Sequence, residues 1–170
     1  MLLLSDNLLI MSTKNLLKLM HVFAWLALVG LCIKTGTIIV NYFISIKNPD
    51  VALNLFGGID LSEYYNYNFY QYTLLVGYKV LFFALEAYIA YVLVLLLGKI
   101  DIKNPFNSLV ANLMKKTSKS IFLLWVFAII HNTHMQYIAK KQGFEMDLFS
   151  SDFVFLAAVV FVFTQIIKQG

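Results

Sequence analysis

Arginine is missing from this chain: all thirteen of its basic residues are lysine. Without a guanidinium fork there is no bidentate reader of phosphate or guanine, which argues against direct nucleic-acid binding. Cysteine occurs once, as Cys32 inside an apolar run. No internal disulfide can form, and a lone thiol in such a setting behaves as a small hydrophobe. Charge is scarce as well, at 13% of residues, where a soluble domain carries about a quarter. Proline occurs only twice, so long helical runs go unbroken. No phosphate loop, nucleophile elbow, zinc-protease motif or paired-carboxylate constellation is present. The sequence gives no support for an enzyme, and implies no metal or cofactor.

What the chain does have is apolar length. Hydrophobic residues make up 61% of the 170, clustered into long runs instead of amphipathic stripes. The expected fold class is therefore all-α: an integral membrane four-helix bundle. Its spans read as residues 21–46, 73–97, 121–138 and 153–167. The first two are ample for a hydrocarbon core of about 30 Å, and the fourth is short. Residues 1–20 lack the continuous apolar core of a signal peptide, because Asp6, Asn7, Ser12 and Lys14 interrupt them. They read as a cytoplasmic or interfacial segment ahead of a single domain over 21–170, with Met11 as a plausible alternative start.

Lysine placement sets the orientation. Residues 98–119 hold Lys99, Lys103, Lys115, Lys116 and Lys119 against Asp101, a net charge of +4. The connections at 47–71 and 139–152 carry −2 and −1, and the two ends carry +1 each. Lysine excess in short loops marks the cytoplasmic side. Both termini are thus expected in the cytoplasm, with the chain multi-pass in the bacterial cytoplasmic membrane. Within 98–119, Asn104 and Pro105 read as N-cap and first helical residue, and Phe106, Leu109 and Leu113 recur at helical spacing. A short amphipathic helix at the inner membrane surface, between spans two and three, is predicted.

Charges inside the spans call for partners. Lys34 and Glu86 each fall about midway along antiparallel spans. A lone charge there costs on the order of 3 kcal/mol, so an ion pair between them is predicted. Ala27, Gly30, Lys34, Thr37 and Asn41 share a stripe that should face other helices, not lipid. Lys79, His131 and His134 form a possible polar pathway toward the outside, with Lys79 close enough to the interface to snorkel. The two histidines share a helix face at i, i+3 spacing. A metal site needs three or four ligands, and no matching residues are evident. The aromatic stretch Glu63–Tyr72 reads as an interfacial belt, with a short strand or a ligand-stacking surface at Tyr64, Tyr65, Tyr67 and Tyr70 as alternatives.

Five segments together carry a family resemblance: Gly30-Leu-Cys-Ile33, Asp60-Leu-Ser-Glu-Tyr-Tyr65, Glu86-Ala-Tyr-Ile-Ala-Tyr91, Asn104-Pro-Phe106 and Gln165-Ile-Ile-Lys-Gln-Gly170. Over about residues 12–170 the chain resembles the uncharacterised bacterial four-span membrane family known as domain of unknown function 2975. The resemblance implies an acidic residue where Lys34 stands and a lysine where Glu86 stands, so the pair is here with its signs exchanged. It also implies a glutamate-rich tail after Gly170 and, by analogy with neighbouring helix-turn-helix regulators, a cytoplasmic partner. The expected function is a non-enzymatic regulatory or interaction protein whose partner face is 98–119. The alternative is a small transporter or proton-coupled channel component, oligomeric, using the intramembrane charges.

Overall fold

A computed structural model describes residues 2–100, 107–146, 148–149 and 160, with side chains described from Lys14 onward. All its regular elements are helical, and no strand occurs among the described residues. Helix α1 spans Leu2–Ser45, α2 Ser62–Tyr67, α3 Phe69–Lys99 and α4 Ser108–Gln142, with a 3-10 turn at Pro49–Leu53. The fourth expected span, 153–167, lies outside the described residues apart from Val160, which is helical.

Local chemistry explains where these helices stop. No proline interrupts α1, and Pro49 bars its continuation: a residue before proline is pushed out of the α region, and Asn48 is extended at φ −130°, ψ 94°. Asn68 caps α3, its Oδ1 accepting from the Tyr70 and Gln71 amides at 2.8 and 3.4 Å. At the far end of α4, Gly143 takes φ 78° and its N–H returns to the Ala139 carbonyl at 2.7 Å. Such a left-handed C-terminal residue suits glycine.

Three expectations about element boundaries change. Helix α1 runs unbroken through residue 20, so no break in helix separates residues 2–20 from the first expected span. The stretch 63–72 is α2 and the first turn of α3, which overturns the short strand offered as an alternative there. The predicted inner-surface helix also fails in its register. Asn107, not Asn104, is the N-cap of α4, extended at φ −97°, ψ 165°, with its Oδ1 accepting from Val110 N at 2.9 Å. An asparagine with an extended backbone cannot sit inside a helix begun at Asn104 and Pro105, so Leu109 and Leu113 belong to one 35-residue helix that includes the third expected span. Asn104, Pro105 and Phe106 themselves lie outside the described residues.

Helix α3 is central. It packs against α1 on one side and α4 on the other, and α1 and α4 do not pack on each other. On α1 the buried positions are Ala24, Ile38 and Ser45, separated by multiples of seven, the spacing of a single helix–helix seam. The remaining faces of α1 carry large apolar side chains in the open, among them Phe23 at 61%, Leu26 at 62% and Phe43 at 62% exposure.

The connection at 46–61 is not a simple polar loop. It folds back so that Ala52, Leu55, Ile59 and Leu61 join the core. Asn54 Oδ1 accepts from Gly58 N at 3.0 Å, and Leu55 N donates to Ile59 O at 2.9 Å. The turn needs Gly57 at φ +56° and Gly58 at φ +90°, conformations that side chains with a Cβ resist.

Candidate functional site

A cavity of about 560 Å³ opens in the wedge between α1 and α4, with α3 as its floor. Helix α1 contributes Ala27, Gly30, Leu31 and Lys34, α3 contributes Glu86 and Ile89, and α4 contributes Ile121 and Leu124. Phe56 comes in from the folded-back connection, held there by the turn at Gly57 and Gly58. The wedge exists because α3 separates its two neighbours along their length.

The expected Lys34–Glu86 contact takes a different form. Both side chains line this cavity. No salt bridge joins them. The Lys34 ammonium sits over the Phe83 ring at 3.7 Å and faces Phe56 at 5.9 Å. An aromatic face attracts a cation but offers no lone pair for its N–H donors. The small and polar stripe on α1 accordingly divides. Ala27, Gly30 and Lys34 face the cavity, while Asn41 Nδ2 donates to Leu55 O at 2.7 Å and secures the connection.

Lys79, His131 and His134 come together elsewhere, around a residue that sequence reasoning did not single out. Phe149 folds back onto the bundle. Asn132 grips its backbone from both sides, Nδ2 donating to Phe149 O at 2.7 Å and Phe149 N donating to Oδ1 at 2.9 Å. The Phe149 ring stacks on Phe82 at 3.7 Å with planes 4° apart. On other sides it meets the His131 ring at 4.4 Å and the Lys79 ammonium at 4.3 Å. Lys79 is only 1% exposed, so the snorkelling expected of it does not occur: the backfolded segment covers it.

Tyr78 presents its ring edge-on to both His131 and His134 at 5.8 Å. His134 Nδ1 is buried with no hydrogen-bond partner among the described residues. The backfolded segment is pinned again at Tyr64, whose hydroxyl donates to Glu145 O at 2.9 Å, and by ring packing of Phe144 on Tyr64 and Tyr67. Tyr65 turns the other way, to Phe69 and Tyr72. The tyrosines of α2 therefore serve two separate ring clusters. Tyr70 stays 69% exposed.

Two ionisable groups thus face a cavity and three are packed around Phe149 and Tyr78, with Phe82 and Phe83 between the sets. Among the described residues no three His, Cys, Asp or Glu side chains converge to hold a metal ion. The inner-surface positions divide too: Leu109 is 49% exposed and Leu113 half-buried on α4.

The apolar, long helices define a class before any comparison does. Among the described residues two stretches, Lys14–Ser45 and α3, are long and apolar enough to cross a membrane. No protein-family model matches the sequence, and no curated protein or solved structure matches it. The resemblance to a four-span bacterial family rests on the residues quoted for it.

Proposed function

We propose that this chain is a four-span, non-enzymatic protein of the bacterial cytoplasmic membrane, with both termini cytoplasmic, and that residues 98–119 offer a face to a cytoplasmic regulatory partner. The observation that carries the membrane reading is the surface of α1. Its most apolar stretch is only 6% buried, against 39% for α3. The core helix of a soluble protein would have that surface covered by its own chain, and each large side chain moved out of water gains about 1.5–3 kcal/mol. Lipid supplies the cover here. The 35 residues of α4 measure roughly 52 Å at 1.5 Å per residue. That length spans a core of about 30 Å while leaving Lys115, Lys116 and Lys119 beyond it on the cytoplasmic side.

The interaction role is preferred over transport because the ionisable groups are divided. Lys79 and His131 are packed against Phe149, and the rings of Phe82, Phe83 and Phe149 stand between them and the Lys34–Glu86 cavity. A transporter would need one connected polar route. The cavity itself favours that second reading to the extent that it holds two opposite charges.

Crosslinking and pull-down from native membranes separates the two. The regulatory reading predicts a specific cytoplasmic partner that is lost when Phe106, Leu109 and Leu113 are made polar. Finding no partner in either sample, with ion flux in reconstituted liposomes, contradicts it.

A further inference from the structure

We propose that the wedge between α1, α3 and α4 is a binding site for a zwitterionic amphiphile, with an anionic group on Lys34 and an ammonium on Glu86. The apolar body of the ligand lies against Leu31, Ile89, Ile121 and Leu124. The proposal deepens the membrane reading, on which it rests for the ligand's approach past the exposed Ala27 and Gly30 on the lipid side.

The argument begins with two charges that face one space without meeting. A charged group removed from water is tolerated only when paired and hydrogen-bonded. Lys34 has aromatic faces at 3.7 and 5.9 Å, which hold the cation in place but leave its three N–H donors unspent. Glu86 accepts no hydrogen bond among the described residues and likewise makes no salt bridge. Among the described residues, everything else that lines the cavity is aliphatic, aromatic or glycine. The site is therefore an apolar chamber with one donor cation and one acceptor anion.

Charge complementarity then selects the ligand class. A simple carboxylic acid would satisfy Lys34 and set a second negative charge near Glu86. A simple amine would satisfy Glu86 and repel Lys34. Only a molecule carrying both signs on one apolar body meets both groups, each through a charge-assisted hydrogen bond. The volume of about 560 Å³ lies within the range of roughly 300–1,000 Å³ typical of small-molecule sites. A long-chain α-amino acid is the simplest molecule of this description.

The test compares three probes of one chain length on the full-length protein in nanodiscs, with empty nanodiscs subtracted. They are radiolabelled 2-aminododecanoic acid and its unlabelled competitors dodecanoic acid and dodecylamine. Saturable binding of the zwitterion is expected, with each single-charge competitor about tenfold weaker. Lys34→Met and Glu86→Gln should each weaken binding about tenfold, and Ala27→Phe, which fills the chamber without touching either charge, should abolish it. If the charge variants do not fold, as judged by size-exclusion chromatography, the three-probe comparison on the unmodified protein and Ala27→Phe still decide. Equal competition by dodecanoic acid or dodecylamine overturns the proposal, as does wild-type binding in Ala27→Phe. So does the absence of saturable binding, which would mean that water or mutual attraction satisfies the two charges. None of these outcomes affects membrane retention or partner capture, so failure here is distinguishable from failure of the functional reading.

Discussion

The two ends of the bundle are built on different principles. At the end where α1 passes to α3, fifteen buried residues form one core cluster, drawn from α1, the folded-back connection, α2, α3 and α4. At the end where α3 passes to α4, the comparable cluster has three: Ala24, Val94 and Leu97. The first end is also where polar side chains are spent on structure. Ser45 Oγ lies 2.7 Å from the Tyr72 hydroxyl and donates to Tyr42 O at 2.7 Å, and Asn132 holds Phe149. Among the described residues the lysine-rich end has fewer such ties, with Trp25 Nε1 donating to His21 Nε2 at 3.1 Å as one of them. The contrast teaches that this chain specifies its geometry at one end by aromatic packing and directed hydrogen bonds. Among the described residues the other end shows a smaller core cluster and fewer directed bonds. The cavity lies between these two clusters, roofed by Phe56 from the ordered end and walled by α1 and α4.

Substitutions at the ordered end should cost most. Asn132→Leu removes both bonds to the Phe149 backbone and leaves its N–H and C=O unmet. With about 1 kcal/mol per bond and a further penalty for unmet groups, destabilisation of about 3 kcal/mol is expected in detergent unfolding titrations. It should also make a cysteine introduced at Phe149 newly reactive to a water-soluble maleimide. Tyr72→Phe deletes the contact with Ser45 where both residues are fully buried. A loss of about 1.5 kcal/mol is expected in the same assay, since Ser45 keeps its bond to Tyr42 O. Gly58→Ala places a Cβ at φ +90°, and backbone strain of about 1 kcal/mol is the expected cost. Space is not the obstacle there, as nothing lies within 4 Å of the added carbon.

The smallest effect should come from the other end. Leu97→Ala ought to cost about 0.5 kcal/mol, because lipid chains replace the lost contacts and helices in a bilayer have little hydrophobic force between them. The matched control is Leu75→Ala, at a fully buried position in the larger cluster. Equal losses for the two would erase the contrast between the ends.

The long helices were legible because apolar run length reports directly on an element that needs no distant partner. Residues 73–97 lie inside Phe69–Lys99, 121–138 inside Ser108–Gln142, and the first expected span ends one residue beyond Ser45. The start of α4 was misread for a local reason. Asn104-Pro105 and Asn107-Ser108 both offer an N-cap, and composition cannot say which asparagine is extended until the helix beyond it has a fixed register. Depth alone matched Lys34 with Glu86, and both line one cavity without a salt bridge between them. Depth says nothing of rotamer, and Phe83 offers the ammonium a platform that no spacing rule reveals. Phe149 was missed altogether. Its cover over Lys79 depends on a turn at Gly143 and on an asparagine 17 residues earlier. The one signal in the sequence was a pair of apolar aromatics, Phe144 and Phe149, inside a short connection that also holds five charged residues.

The chain carries a built-in probe of its central claim. Cys32 is its only cysteine and lies on the exposed surface of α1, midway along the stretch assigned to lipid. Thiol attack on a maleimide requires the thiolate, which forms in water and not in hydrocarbon. In intact membranes Cys32 should resist a water-soluble maleimide and react fully once the protein is unfolded in dodecyl sulfate. Rapid labelling of Cys32 in the native, undisrupted sample would mean that water, not lipid, bathes α1.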